Sequence, residues 1–310
     1  MKNCVARLTA CIVFFLSLIS TACASDNAKL AAWKDKMDIK GKNVEIKVDK
    51  KVDAIRSAGE SFSKAFEDIP PEDEYYIGRS VAANILTNYK RYLNVQLERY
   101  LNSICQTLVL NSEGQEPYKG FHVVILDSDE VNAFATSGGH ILVTRGLISC
   151  TSNEDSLAAV IAHEIGHVEL KHGLKAIKNS RFMDASHEMA TAITKNPDKK
   201  QAEAMDGMVD DVMSQMVNSG YSQKQEFEAD SYAVNLMYAS GYAPSAIITM
   251  LELIDKNQNG SSLGMYKTHP SPKSRITNVK ASMGKNLSSV KVSDVRTERY
   301  NKIMKAYAVN

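Results

Sequence analysis

Apolar positions set the first expectations. Over residues 72–111, Ile85, Tyr92, Leu93, Leu97, Tyr100, Leu101, Ile104 and Leu108 recur at intervals of three and four, which predicts one long helical stretch with a buried stripe. The aromatic members of that stripe read as core. Ile69-Pro70-Pro71 ends whatever precedes it. The period then changes to two. Residues 121–126 (FHVVIL) predict a strand, and 133–144 (AFATSGGHILVT) predict a second strand or a hairpin turning at Gly138-Gly139. Asn153 can cap a helix over 154–172, with Leu157, Val160, Ile161, Ile165 and Val168 facing inward. Residues 174–222 are polar and rich in Ala and Met, broken at Asn196-Pro197, and Met205, Met208, Val209, Val212 and Met216 form a packing stripe. A helix over 223–239 stops at Gly241, Pro244 opens another over 245–256, and a Gly/Ser/Asn stretch at 257–264 leads to Thr268-His269-Pro270. No internal repeat is visible. Helices, a small sheet and helices again, in that order, predict a mainly helical α+β fold.

Composition narrows the function classes. The 310 residues carry 37 Lys+Arg against 36 Asp+Glu, a net +1, which excludes the basic face that nucleic-acid binding needs. With one Trp and no apolar run near bilayer length beyond the N-terminus, a polytopic membrane protein is excluded too. Residues 1–24 read as an export signal: Lys2 and Arg7 precede the apolar run 8–20, and Ala22-Cys23-Ala24 supplies small residues for cleavage. Cys23 offers a second exit, lipidation and membrane association, although Ser20 stands where such signals usually carry an aliphatic residue. Removal of residues 1–24 leaves Cys105 and Cys150 in the mature chain, either bridged as an exported protein permits or packed as two thiols.

The strongest chemical signal is His163-Glu164-Ile165-Gly166-His167 within the 154–172 helix. Residues four apart leave a helix on one face, so His163 and His167 can close on one zinc ion, while Glu164 reaches an attacking water without being a ligand. A Lewis acid beside a carboxylate base is what metal-assisted peptide hydrolysis requires. The third ligand is sought downstream. His172 is five residues past His167, and a continuing helix carries it off the metal-facing side. Glu226 and Asp230 are the better candidates: four apart, they share a helical face, Glu226 as ligand and Asp230 as acceptor for the second ring N–H of His163, while Glu228 points elsewhere.

HEIGH, EFEAD (226–230), NAFATSGGHILVTRGLI (132–148) and THPSPKSRI (268–276) together resemble the HtpX-like gluzincin zinc metallopeptidases. EYYIGRSVAANIL (74–86) and the export signal resemble the periplasmic branch represented by LoiP-like and BepA-like proteases. The resemblance implies a zincin-type fold with a small β-sheet whose edge strand flanks the active-site helix, and one zinc per chain. It implies His163, His167 and Glu226 as ligands, Glu164 as general base and Asp230 behind the ligands. It further implies that Asn132, Ala133 and Phe134, with Gly138 and Gly139 allowing close backbone approach, bind extended substrate along that strand. His269 and Arg275 are implied to lie over the site. His269 is then either an oxyanion donor, with Arg275 as a second positive group, or a ring that occupies the metal's open position until substrate enters.

The domain expectations follow: signal 1–24, charged N-terminal extension 25–71, zinc metallopeptidase domain 72–285 and C-terminal tail 286–310. The expected activity is a periplasmic zinc endopeptidase, soluble or lipid-anchored at the outer membrane, that cleaves unfolded or misassembled envelope polypeptides. The competing reading is a chaperone or assembly factor holding extended chain in the same groove. Glu164 favours the enzyme, since binding alone has no use for a general base.

Overall fold

The three β-strands are β1 (His122–Leu126), β2 (Ala133–Thr136) and β3 (His140–Thr144). Their order is β1-β3-β2, with β3 parallel to β1 and antiparallel to β2. The β2–β3 hairpin turns at Ser137-Gly138-Gly139, where φ of +79° at Gly138 and +90° at Gly139 demands glycine. In this computed structural model residues 69–175, 177–178, 213, 220–256, 264–269, 272–288 and 290–307 are described. The export signal with Cys23, the N-terminal extension up to residue 68, and the stripe of Met205, Met208, Val209, Val212 and Met216 lie outside the described residues.

Alternation along the strands builds a core on each face of the sheet. Val123, Ile125, Ala133, Ala135, Ile141 and Val143 pack on one side, against α2 (Val95–Val109) and the active-site helix α4 (Glu154–Glu169). Leu126, Phe134 and Leu142 pack on the other, against Ile77, Val81 and Ile85 of α1 (Pro71–Asn88). Helix α4 is enclosed on all sides, every residue from Glu154 to Val168 being buried, so a one-sided apolar stripe understates it.

The 72–111 stretch is two helices rather than one. Tyr89 is extended, Tyr92 N–H donates to Ile125 O, Asp127 N–H donates to Lys90 O, and Arg91 bridges Leu126. Backbone pairing with the end of β1 therefore overrides helix propensity, and Asn94 caps the restart by accepting from Leu97 N–H.

The short helix α3 (Arg145–Cys150) leads into α4. Further helices with described bounds are α5 (Gln223–Ala239), α6 (Ala246–Lys256), α7 (Gly264–Thr268), α8 (Pro272–Ser288) and α9 (Asp294–Tyr307). A capping box between Ser222 and Gln225 starts α5. At its end Gly241 takes φ +75° and Tyr242 N–H returns to Met237 O. Within 286–310, expected as a tail, α9 packs on the first turn of α4. There Arg299 pairs with buried Glu154, which also accepts from Tyr100 and Tyr242 hydroxyls, and Arg296 clasps buried Asp155 at 2.8 and 2.9 Å. Among the described residues no helix is long and apolar enough to cross a membrane.

Candidate active site

Helices α4 and α5 cross where both are small. A Cβ on Gly166 would come within 3.1 Å of Ala229 O and 3.3 Å of Tyr232 Cδ1, so glycine lets the first turns of α5 lie against the HEIGH segment. That approach sets Glu226 and Asp230 beside His163 and His167. Along with Glu164, His269 and Arg275, all are at most 3% exposed. Seven buried polar side chains in one place must satisfy one another or hold an ion.

One ligand atom from each of His163, His167, Glu226 and His269 lies within 4.8 Å of the others. His163 Nε2 is 3.1 Å from His167 Nε2 and 3.3 Å from His269 Nδ1, and Glu226 Oε1 is 3.0 Å from His269 Nδ1. On its far side His163 Nδ1 sits 3.0 Å from Asp230 Oδ1. The carboxylate accepts from Nδ1–H, which in the neutral ring leaves the Nε2 lone pair turned into the cluster. Glu226 Oε2 and both oxygens of Glu164 are buried without a hydrogen bond. Facing ring nitrogens beside unengaged carboxylate oxygens fit a divalent cation, and two imidazoles with one carboxylate are a zinc donor set.

Arg275 binds Asp230 with two donors, Nε to Oδ2 at 2.8 Å and Nη2 to Oδ1 at 2.7 Å. Its Nη1 lies 2.7 Å from Glu226 Oε2 as a charge contact without hydrogen-bond alignment, so that oxygen keeps a lone pair for a metal. Burial is the largest single influence and opposes ionisation of Glu226 and Asp230. The Arg275 charge, together with hydrogen bonds and charge from Arg275 and the neighbouring histidines, outweighs it and holds both carboxyls below their usual range. His163 is pushed down by burial and by Arg275, yet hydrogen bonds to Asp230 and Glu226 bring it up to about 9. His167, with less carboxylate support, is held well below its ordinary value by burial.

Three expectations change. Arg275 is turned onto Asp230 and Glu226 rather than standing over the site as an oxyanion partner, because two buried carboxylates claim its guanidinium. Gly138 and Gly139 give no room to substrate: a Cβ would meet Tyr75 Cα at 2.5 Å and Gly120 O at 2.5 Å, so the chain itself fills that space. Cys105 and Cys150 form no disulfide. Cys105 is fully buried among the apolar side chains of α2 and packs as a small hydrophobe.

The edge strand lies where expected. Asn132 Oδ1 accepts from Ala133 N–H at 2.9 Å and from the Thr268 hydroxyl at 3.2 Å, while Phe134 is buried under α1. Among the described residues no strand pairs with the outer side of β2. Tyr221 escaped the sequence reading, and His172, set aside there as a ligand, lies behind His167. Tyr221 stacks on His167 with ring centroids 4.0 Å apart and planes at 20°. His172 is fully buried against His167, because α4 stops at Glu169 and Lys171 takes φ +55°, which turns the chain back under the helix. Only a residue prone to the left-handed region at 171, one place before His172, would have signalled that turn, and lysine gives no such signal.

A helix presenting two histidines to a glutamate of a later helix, beside a small mixed sheet, defines a zinc-metallopeptidase domain. Residues 95–283, over half of the chain, match the model of Peptidase family M48, and the chain belongs to that family. It is similar to the Beta-barrel assembly-enhancing protease of Escherichia coli K12, 31% identical over 192 residues that cover 59% of this chain and 38% of that protein. Metalloprotease LoiP of the same organism is 30% identical over 194 residues, 61% of this chain and 72% of LoiP. The Mitochondrial metalloendopeptidase OMA1 of Schizosaccharomyces pombe is 31% identical over 154 residues, 48% of this chain and 42% of OMA1. Zinc is the metal of this family, and the match spans well under half of the first of these relatives.

Proposed function

We propose that the protein is a zinc endopeptidase that cleaves extended segments of unfolded or misassembled cell-envelope polypeptides. One observation carries the reading: Glu164, with both oxygens buried and unengaged, stands beside a His163–His167–Glu226 cluster. In this reading His163 Nε2, His167 Nε2 and Glu226 hold the zinc, which supplies Lewis acidity toward the scissile carbonyl and the attacking water. Glu164 takes the water's proton and passes it to the leaving amine. Asp230 and Arg275 fix His163 and Glu226 from behind. Substrate adds as a further strand on β2. Pairs in an antiparallel ladder alternate, and Asn132 O already accepts from Thr144 N–H. The groups of Ala133 and Ala135 are therefore the ones that point to the open edge. Main-chain pairing reads no side chains, which suits substrates recognised for being unfolded.

His269 acts as the gate. Its ring stands in the ligand cluster, and Nε2 is 3.6 Å from Glu164 Oε1, so the resting site is closed by the chain's own side chain. The export signal at 1–24 supports a periplasmic location and the relatives' names an envelope role, with cleavage after Ala24 giving a soluble chain and lipidation of Cys23 instead giving one attached to the outer membrane. The domain is 72–285, preceded by the extension 25–71 and followed by 286–310. Metal analysis with casein cleavage tests the enzyme reading. Wild type should contain one zinc per chain and cleave, and Glu164→Gln should keep zinc and lose cleavage. Equal cleavage by both would reject the mechanism, and no cleavage by the zinc-loaded wild type would leave the holding function as the better account.

A further inference from the structure

His167 is as buried as His163 but touches no carboxylate on its Nδ1 side. Its Nδ1 lies 2.9 Å from Nδ1 of His172 instead, and Nε2 of His172 lies 3.2 Å from Oε2 of Glu228. Glu228 is the acidic residue of α5 that faces away from the cluster. It is half-exposed, with Lys175 at 3.9 Å and Lys224 at 3.7 Å. Two ring nitrogens in hydrogen-bond contact, with no cation held between them, must be one donor and one acceptor. Glu228 decides which. A carboxylate accepts, so His172 carries its proton on Nε2 and offers a lone pair at Nδ1. His167 must then donate from Nδ1, and its Nε2 is left as a lone pair pointing at His163 and Glu226. The opposite assignment would set the Nε2 lone pair of His172 against a carboxylate.

We infer that Glu228 and His172 form a relay that fixes the tautomer and orientation of His167 as a metal ligand, making both positioning residues. His163 gets the same service from Asp230 in one step, and His167 gets it in two. The histidine–carboxylate pairing that orients metal ligands is here extended by one imidazole, which carries the carboxylate's influence from the protein surface to a fully buried ring. Tyr221, stacked on the other face of His167, holds the ring plane and leaves the hydrogen bond to set rotation within it. The inference rests on the zinc-site reading above.

Zinc affinity of the mature chain, measured by competition with a chromophoric chelator, is the direct readout. His172→Leu should bind zinc about 10 to 100-fold more weakly. His172→Gln should recover to within about threefold, because its amide oxygen can accept from His167 and its NH2 can donate to Glu228. Glu228→Ala should weaken zinc by about 3 to 10-fold, whereas Glu228→Gln, still an acceptor, should stay near wild type. The metal-free melting temperature of the Glu228 variants should not move, which separates positioning from folding. Because Glu228 is half-exposed, Glu228→Ala folds whatever the fate of His172→Leu. Wild-type zinc affinity in Glu228→Ala overturns the relay. A wild-type chain that takes up no zinc, or a His167→Ala variant that binds it as tightly, would instead bring down the metal site itself.

Discussion

Nδ1 of His269 lies 3.0 Å from Oε1 of Glu226, although 43 residues separate them in the chain. The contact is held from the His269 side by backbone: Met265 N–H donates to Val131 O, His269 N–H to Met265 O, and Tyr221 N–H to Thr268 O. The turn that carries the ring is thus tied to the start of β2, where substrate is proposed to add. His269→Ala should raise basal casein cleavage with zinc still at one per chain. A fall of about 100 to 1,000-fold would assign His269 to the oxyanion instead. Unchanged cleavage would leave it without either role.

Glu226 and Asp230 differ in what they contact, and their variants should differ accordingly. Glu226→Gln removes a ligand, so the protein should lose its zinc on dialysis. Asp230→Asn keeps a side chain of the same shape but a poorer acceptor for His163 and a neutral partner for Arg275, and should cost about 10 to 100-fold in zinc affinity. Full zinc retention by Glu226→Gln would mean that His269 or another group supplies the third ligand.

Arg299→Ala leaves Glu154 buried with only two tyrosine hydroxyls as donors. Since the arginine itself is half-exposed, the expected loss is about 2 kcal/mol, between an exposed ion pair and a fully buried one. Urea unfolding of the zinc-stripped protein measures it. A change within about 0.5 kcal/mol would class the pair with surface salt bridges.

Burial pushes the Cys105 thiol up to about 12 from an unfolded value of 9.0. Its folded pKa is raised, so its contribution to stability is complete below pH 9 and is lost as pH rises toward 12. At pH 8 a maleimide should modify half-exposed Cys150 first and leave Cys105 untouched until urea unfolds the chain. Unfolded, unreduced mature protein should titrate two thiols, and none would restore the disulfide.

What could be read from the sequence was what depends on spacing within one element. His163, Glu164 and His167 occupy one helical turn, and Glu226 with Asp230 another, so i, i+4 geometry foretold which side chains share a face. The strand 121–126 and the hairpin at Gly138-Gly139 followed from a period of two and a turn signal. What escaped depends on where the chain goes next. The break at Tyr89–Leu93 is made by pairing with Leu126 and Ile125, far along the sequence. His172 reaches His167 only because Lys171 reverses the chain. Arg275 was placed over the site by analogy, whereas the two carboxylates that capture its guanidinium could be found only in three dimensions.

The grip of α9 on the first turn of α4 has a consequence for timing. Glu154 and Asp155, the two acids that open the active-site helix, wait for Arg299 and Arg296 from the last helix of the described chain. A polypeptide emerging amino end first, whether from a ribosome or through a membrane channel, presents HEIGH long before those arginines. Until they arrive, two buried acids at the head of that helix lack their countercharges and the helix has no firm anchor. The peptidase's active-site helix therefore gains its charged anchors only after the last helix of the described chain has been made.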